Sequence, residues 1–141
     1  MYLLDTNVVS ELRKAKSGKA NKNVTTWAKD ISPAILFISV ITILELEIGI
    51  LLVERRDASQ GAILRSWLNT QVLPVFSSER ILPIDVAVAQ RTAKLHVLDP
   101  RSDRDAIIAA TALVHGMTLV TRNVSDFNQT GVEILNPWQS V

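Results

Sequence analysis

Cysteine is absent from the 141 residues. No disulfide and no thiolate metal site can form, and a reducing cytoplasm is the expected setting. Histidine is nearly absent too: His96 and His115 are too few for a His-rich transition-metal centre. Charge of one sign does not dominate, since 15 Lys and Arg stand against 14 Asp and Glu, a formal net charge of +1. That balance argues neither for nor against nucleic acid. No leader is expected, because the strand-like run Tyr2-Leu3-Leu4 and the charge of Asp5 occupy its place. The most apolar stretch, 34–53, contains Glu45 and Glu47, whereas a membrane span needs about 20 nearly uninterrupted apolar residues. No membrane partner is expected. Repeats, low-complexity segments and a second domain are also missing, so residues 1–141 read as a single domain.

What is present is apolar surface. Hydrophobic residues make up 48% of the chain and mean hydropathy is +0.22. That is high for so small a protein, even one long enough to build its own core, and surplus apolar surface in a small domain suggests an oligomer or a constant partner. Apolar strands alternate with helical patterns, the mark of an α/β fold with a parallel sheet covered on both faces. Strands are expected at residues 2–4, 35–38, 81–84, 118–121 and 132–135. Helices are expected at 6–13, 24–30, 40–56, 58–73 (ending before Pro74), 86–98 and 102–115, the last stopped by Gly116. Residues 14–23, with Lys14, Lys16, Lys19 and Lys22, read as a polar, mobile loop. Its lysines are solvated in the commoner reading and touch phosphate in the rarer one.

Three carboxylates fall where an apolar inward-facing residue is expected, or at a strand end. Asp5 ends the first strand, and in open parallel sheets ligands sit beyond the strands' carboxyl ends. Glu45 falls on the stripe Ile41, Leu44, Glu45, Ile48, Leu52, while Glu47 points the other way. Asp105 opens the stripe Asp105, Ile108, Ala109, Ala112, Leu113, which leaves Asp103 as the N-cap. A fourth polar cluster, Arg122-Asn123-Val124-Ser125-Asp126, follows the strand at 118–121. Simpler readings exist for each residue. Asp5 serves as a helix cap, Glu45 pairs with Arg104, Asp105 favours its helix dipole, and Asp126 is a turn residue. His115 reads as a helix-end cap and His96 as a partly buried surface residue. Converging carboxylates repel one another and take up a proton unless a cation is present. All-oxygen donors without Cys or His select Mg²⁺ or Mn²⁺, ions that activate water for in-line displacement at phosphorus.

Four segments then resemble the signatures of PIN domains, in the family's order and across essentially the whole chain. They are Leu3-Leu4-Asp5-Thr6-Asn7; Ser39-Val40-Ile41-Thr42 leading to Glu45-Leu46 and Gly49; Asp105-Ala106-Ile107-Ile108-Ala109-Ala110-Thr111-Ala112; and Leu119-Val120-Thr121-Arg122-Asn123. The closing Asn136-Pro137-Trp138 is similar to the FitB-like branch. The resemblance implies a Rossmann-like parallel sheet and a Mg²⁺-dependent ribonuclease, the toxin of a VapBC-type toxin–antitoxin pair. Such a protein is a homodimer held inactive by a VapB-like antitoxin, and reaches operator DNA only through that complex. Asp5, Glu45 and Asp105 match the acidic site, with Asp5 and Asp105 as direct metal ligands and Glu45 on the metal or its water. Thr6 and Thr121 support it through their hydroxyls. The fourth position falls to Asn123, as a neutral ligand or water-holder, or to Asp126, which alone supplies a charge.

The expected activity is RNA hydrolysis by metal-activated water, leaving a 3′-hydroxyl and a 5′-phosphate. Arg13, Lys14, Arg101 and Arg104 are candidate contacts to the RNA backbone. The apolar residues Ile43, Leu46, Ile50 and Val53 of the long helix are candidates for a dimer or antitoxin surface, or else for burial within the monomer. A rival function is a catalytically weak PIN subunit that acts as a binding partner of its antitoxin. A phosphoacceptor domain would want an Asp after the middle strand, where Ser39 stands, and a Lys after a later one, where Arg122-Asn123 stands.

Overall fold

The computed structural model describes residues 1–139. Its centre is a five-stranded, all-parallel sheet of order β3-β2-β1-β4-β5. The strands are short: β1 is Tyr2–Leu4, β2 Leu36–Ser39, β3 Ile81–Leu82, β4 Thr118–Val120 and β5 Ile134–Leu135. Among the described residues, seven α-helices connect or cover them: α1 Thr6–Leu12, α2 Lys22–Lys29, α3 Val40–Arg56, α4 Ala58–Trp67, α5 Leu73–Arg80, α6 Val86–Leu98 and α7 Asp103–His115.

Side chains alternate along each strand, and the alternation separates two cores. Leu3 and Leu119 face one side, where they pack with Val88 and Leu95 of α6 and Ile108, Ala109 and Ala112 of α7. Leu4, Ile38 and Val120 face the other, against Val8 and Val9 of α1, Leu46 and Ile50 of α3, and Leu68, Val72 and Phe76. The alanines let α7 lie close to the sheet. Trp27 of α2 closes an edge of the second core, edge-on to Tyr2 with ring centroids 5.5 Å apart. The terminal turn is held by Trp138, whose N–H donates to Asn136 Oδ1 at 3.0 Å and whose ring lies under the Arg122 guanidinium.

The chain visits β1, β2 and β3 in one direction, then crosses back to β4 and β5 on the other side of β1. The topological switch point therefore lies between β1 and β4, where a crevice opens at the carboxyl edge of such sheets.

Several boundaries differ from expectation. The helix does not end before Pro74. A turn of π-helix, Leu68–Val72, joins α4 to α5, and Pro74 sits in the first turn of α5, where no intrahelical N–H is needed. Ser102, not Asp103, holds the N-cap position of α7, without a side-chain capping bond; Asp103 is the exposed first residue. On α3, Leu44 and Leu52 are exposed, and the buried residues are Ile41, Thr42, Leu46 and Ile50. Leu46 and Ile50, 7% and 3% exposed, belong to the monomer core. They cannot form a dimer surface as well, and the burial alternative holds for them. His96 is exposed rather than partly buried. His115 is the last residue of α7, followed by Gly116 at φ 65°; its Nε2 is buried without a partner.

Candidate active site

Asp5 is the first residue past β1 and is 6% exposed. It caps α1, its Oδ1 accepting from the Thr6 backbone N–H at 2.8 Å. Its Oδ2 accepts from the Thr121 hydroxyl at 2.8 Å and from the Asn7 side-chain amide at 3.3 Å. The same carboxylate is thus a helix cap and a group aimed into the switch-point crevice. Thr121 follows β4 directly, and its Oγ1 also accepts from the Asn123 backbone N–H at 3.0 Å. Asn7 Oδ1 accepts from the Arg122 backbone N–H at 3.3 Å. These bonds tie the ends of the two central strands together around one carboxylate.

Glu45 arrives from the second turn of α3. Thr6 Oγ1 donates to its Oε1 at 2.6 Å and lies 3.1 Å from the Thr42 hydroxyl. The other oxygen, Oε2, is 3.7 Å from Nη1 of Arg104. Glu45 therefore reaches the Asp5 end of α1 and also keeps the arginine neighbour that the simpler reading gave it.

Asp105, half-buried in the first turn of α7, joins the group through charge. Its pKa is pushed up to about 6, by burial first and then by the charges of Asp126, Asp5 and Glu45, with Arg101 opposing. Asp5 is also raised from the ordinary carboxylate value. Burial is the main cause, the Thr121 and Thr6 hydrogen bonds oppose it, and Glu45 and Asp126 add to it. Four carboxylates share one electrostatic environment, and Asp126 is among them although it is exposed. Among the described residues, no three acidic or histidine side chains are drawn tightly enough to enclose an ion. Mutual repulsion acts against closer approach.

Asn123 faces solvent and contributes its backbone N–H. Of the basic residues expected to meet RNA, only Arg104 lies against a site carboxylate. Arg13 is at the far end of α1 from Asp5, and Lys14 pairs with Glu11 at 3.2 Å. Arg101 is engaged with the main chain. Two participants escape a reading that starts from carboxylates. Asn7 stands in the same Asp5-Thr6-Asn7 run, and Thr42 is a fully buried hydroxyl in an otherwise apolar stretch of helix.

Fold and site together define a parallel α/β protein with an acidic cluster at its topological switch point. The PIN domain family matches residues 2–133, and the chain belongs to that family. It is 35% identical to VapC ribonuclease Y4jK of Sinorhizobium fredii over 144 aligned residues, covering 99% of both chains. It is 33% identical to toxin FitB of Neisseria gonorrhoeae over 143, covering 98% of this chain and 99% of that one. A solved structure of FitAB bound to an IR36 DNA fragment matches with a TM-score of 0.86 at 33% identity, over 100% of this chain and 98% of the other. Among the described residues, no helix is long and apolar enough to cross a membrane.

Proposed function

We propose that this chain is a divalent-metal-dependent endoribonuclease, the toxin of a VapBC-type toxin–antitoxin pair. The observation that carries the reading is the buried Asp5 carboxylate, oriented from both central strand ends and sharing its field with Glu45, Asp105 and Asp126. The relatives' names, a VapC ribonuclease and a toxin, support it.

The donor set suits Mg²⁺, with Mn²⁺ as a substitute, because every candidate ligand is an oxygen and the group is short of positive charge. Asp5 and Asp105 would hold the ion, with Glu45 on the ion or its water. When bound, such an ion offsets charge on the phosphodiester and makes water more acidic. The side chains do the remaining work. Thr121 and the Thr6 N–H fix the rotamer of Asp5, and Thr6 Oγ1 fixes one oxygen of Glu45. The other Glu45 oxygen, which faces Arg104 at 3.7 Å, would take the proton of the attacking water. Asp126 supplies the fourth charge, with Asn123 acting through its main chain. Arg104, beside Glu45, would meet the RNA backbone. The products are a 3′-hydroxyl and a 5′-phosphate.

The test is product analysis after cleavage of end-labelled RNA by antitoxin-free protein. Asp105→Asn is expected to cut slower by at least about 100-fold. Full metal-dependent cleavage by that variant would remove Asp105 from the site.

A second reading, a catalytically weak PIN subunit that mainly binds its antitoxin, is favoured by the looseness of the cluster. It predicts antitoxin binding without any metal-dependent cut. Under either reading the partners are a VapB-like antitoxin and, through it, operator DNA, in keeping with the DNA-bound FitAB structure. A homodimer is part of the proposal, as is a cytoplasmic location.

A further inference from the structure

We propose that Arg101 is a positioning residue, which clamps the turn bearing Asp126 against the entrance to α7 and so sets the fourth carboxylate beside Asp105. The inference rests on the acidic-site reading above. The Arg101 side chain is only 9% exposed, and its guanidinium joins its own loop, at Asp99, to the turn at 126–128. Nε donates to the Asp99 carbonyl at 3.1 Å and Nη2 to Asp99 Oδ2 at 2.9 Å, just past the end of α6. Nη1 donates to the carbonyls of Asp126 at 3.3 Å and Asn128 at 3.2 Å. Asp126 lies in a single turn of 3₁₀ helix, Val124–Phe127, held on one side by Phe127 in the core and on the other by Arg101. Phe127 is its one buried side chain.

A planar fork with donors in fixed directions suits this work, and a lysine does not. Two other roles make different predictions. An RNA phosphate contact needs a guanidinium free to reach substrate, and this one is committed to the Asp99 carboxylate and to the carbonyls of Asp99, Asp126 and Asn128. A purely electrostatic role has the opposite sign: deleting a cation near the carboxylates would strengthen divalent-metal binding, while releasing the Asp126 turn would weaken it.

The experiment compares wild type with Arg101→Ala, Arg101→Lys, Asp126→Asn and the Arg101→Ala/Asp126→Asn double variant. Mn²⁺ affinity is read by electron paramagnetic resonance of the free ion, and amide hydrogen exchange is read at 124–128. Arg101→Ala is expected to weaken Mn²⁺ binding by about tenfold and to speed exchange at 124–128. Arg101→Lys is expected to resemble the alanine variant, and the double variant to bind no worse than Asp126→Asn, because both changes act through one carboxylate. Unchanged or tighter Mn²⁺ binding by Arg101→Ala, rescue by lysine, or unchanged exchange at 124–128 would overturn the clamp. Wild type that binds no Mn²⁺, or Asp5→Asn with wild-type affinity, would overturn the acidic-site reading instead. The exchange at 124–128 decides the clamp in either case.

Discussion

Asp105 is the residue whose chemistry is most sharply set by its neighbours. Its folded pKa of about 6 lies above the ordinary carboxylate value, so between about pH 4 and pH 6 the folded chain binds more protons there than the unfolded chain. Stability from this group therefore falls as pH rises through that window, and Asp5 acts in the same direction. In EDTA, Asp105→Asn is expected to gain thermal stability over wild type as pH rises from 5 to 7.5. With Mg²⁺ at pH 7.5 the order reverses, since the ion stabilises the charged wild-type group. Melting curves under the three conditions check this; a gap in EDTA that is independent of pH would contradict it. At this scale the sequence was legible where a carboxylate ends a strand, as with Asp5, or opens an apolar stripe, as with Asp105. It was not legible for Arg101, because a basic residue in a loop looks alike whether it meets solvent, RNA or a carbonyl.

The long helix α3 shows where patterns fail. Apolar residues occupy nearly every position of its first turns, so the stripe through Ile41, Leu44 and Leu52 was as good as its competitors. Only the packing of α4 and the sheet selects the face of Leu46 and Ile50. The α3–α4 hairpin has its own checkpoint at Gly61. A Cβ there would lie 2.5 Å from Glu54 Cγ and 2.7 Å from Glu54 Cα, beside the fork of Arg65 on Glu47 and Glu54. Gly61→Ala is expected to cost about 1–3 kcal/mol through overpacking. Gly49→Ala, which meets open space, is expected to gain roughly 0.5–1 kcal/mol by helix propensity. Chemical denaturation of the two variants gives the comparison, and equal effects would remove the argument for a tight crossing. Helices α3 and α6 start where expected, and in the structure Ser39 and Asp85 cap them through their side chains. The π-turn between α4 and α5 carries no comparable signal.

For the molecule as a whole, alternating strands and helices announced the parallel sheet, while the order of strands around the switch point required the coordinates. The surplus of apolar residues also has an address. Leu44, Leu51 and Leu52 of α3, and Val86, Val97 and Leu98 of α6, remain exposed. The proposed homodimer predicts twice the chain's mass of 15.6 kDa by multi-angle light scattering at micromolar concentration. A monomer at high concentration would contradict it.

The central claim is that the carboxylates gathered at the β1–β4 switch point make this chain a metal-dependent ribonuclease. Its most direct test is cleavage of a panel of end-labelled single-stranded and structured RNAs by antitoxin-free protein. Reactions contain Mg²⁺, Mn²⁺ or EDTA, with Asp5→Asn as the control. The account predicts discrete cuts with either metal, none in EDTA and none from the variant. Cuts that persist in EDTA, or equal cutting by a folded Asp5→Asn protein, would contradict it.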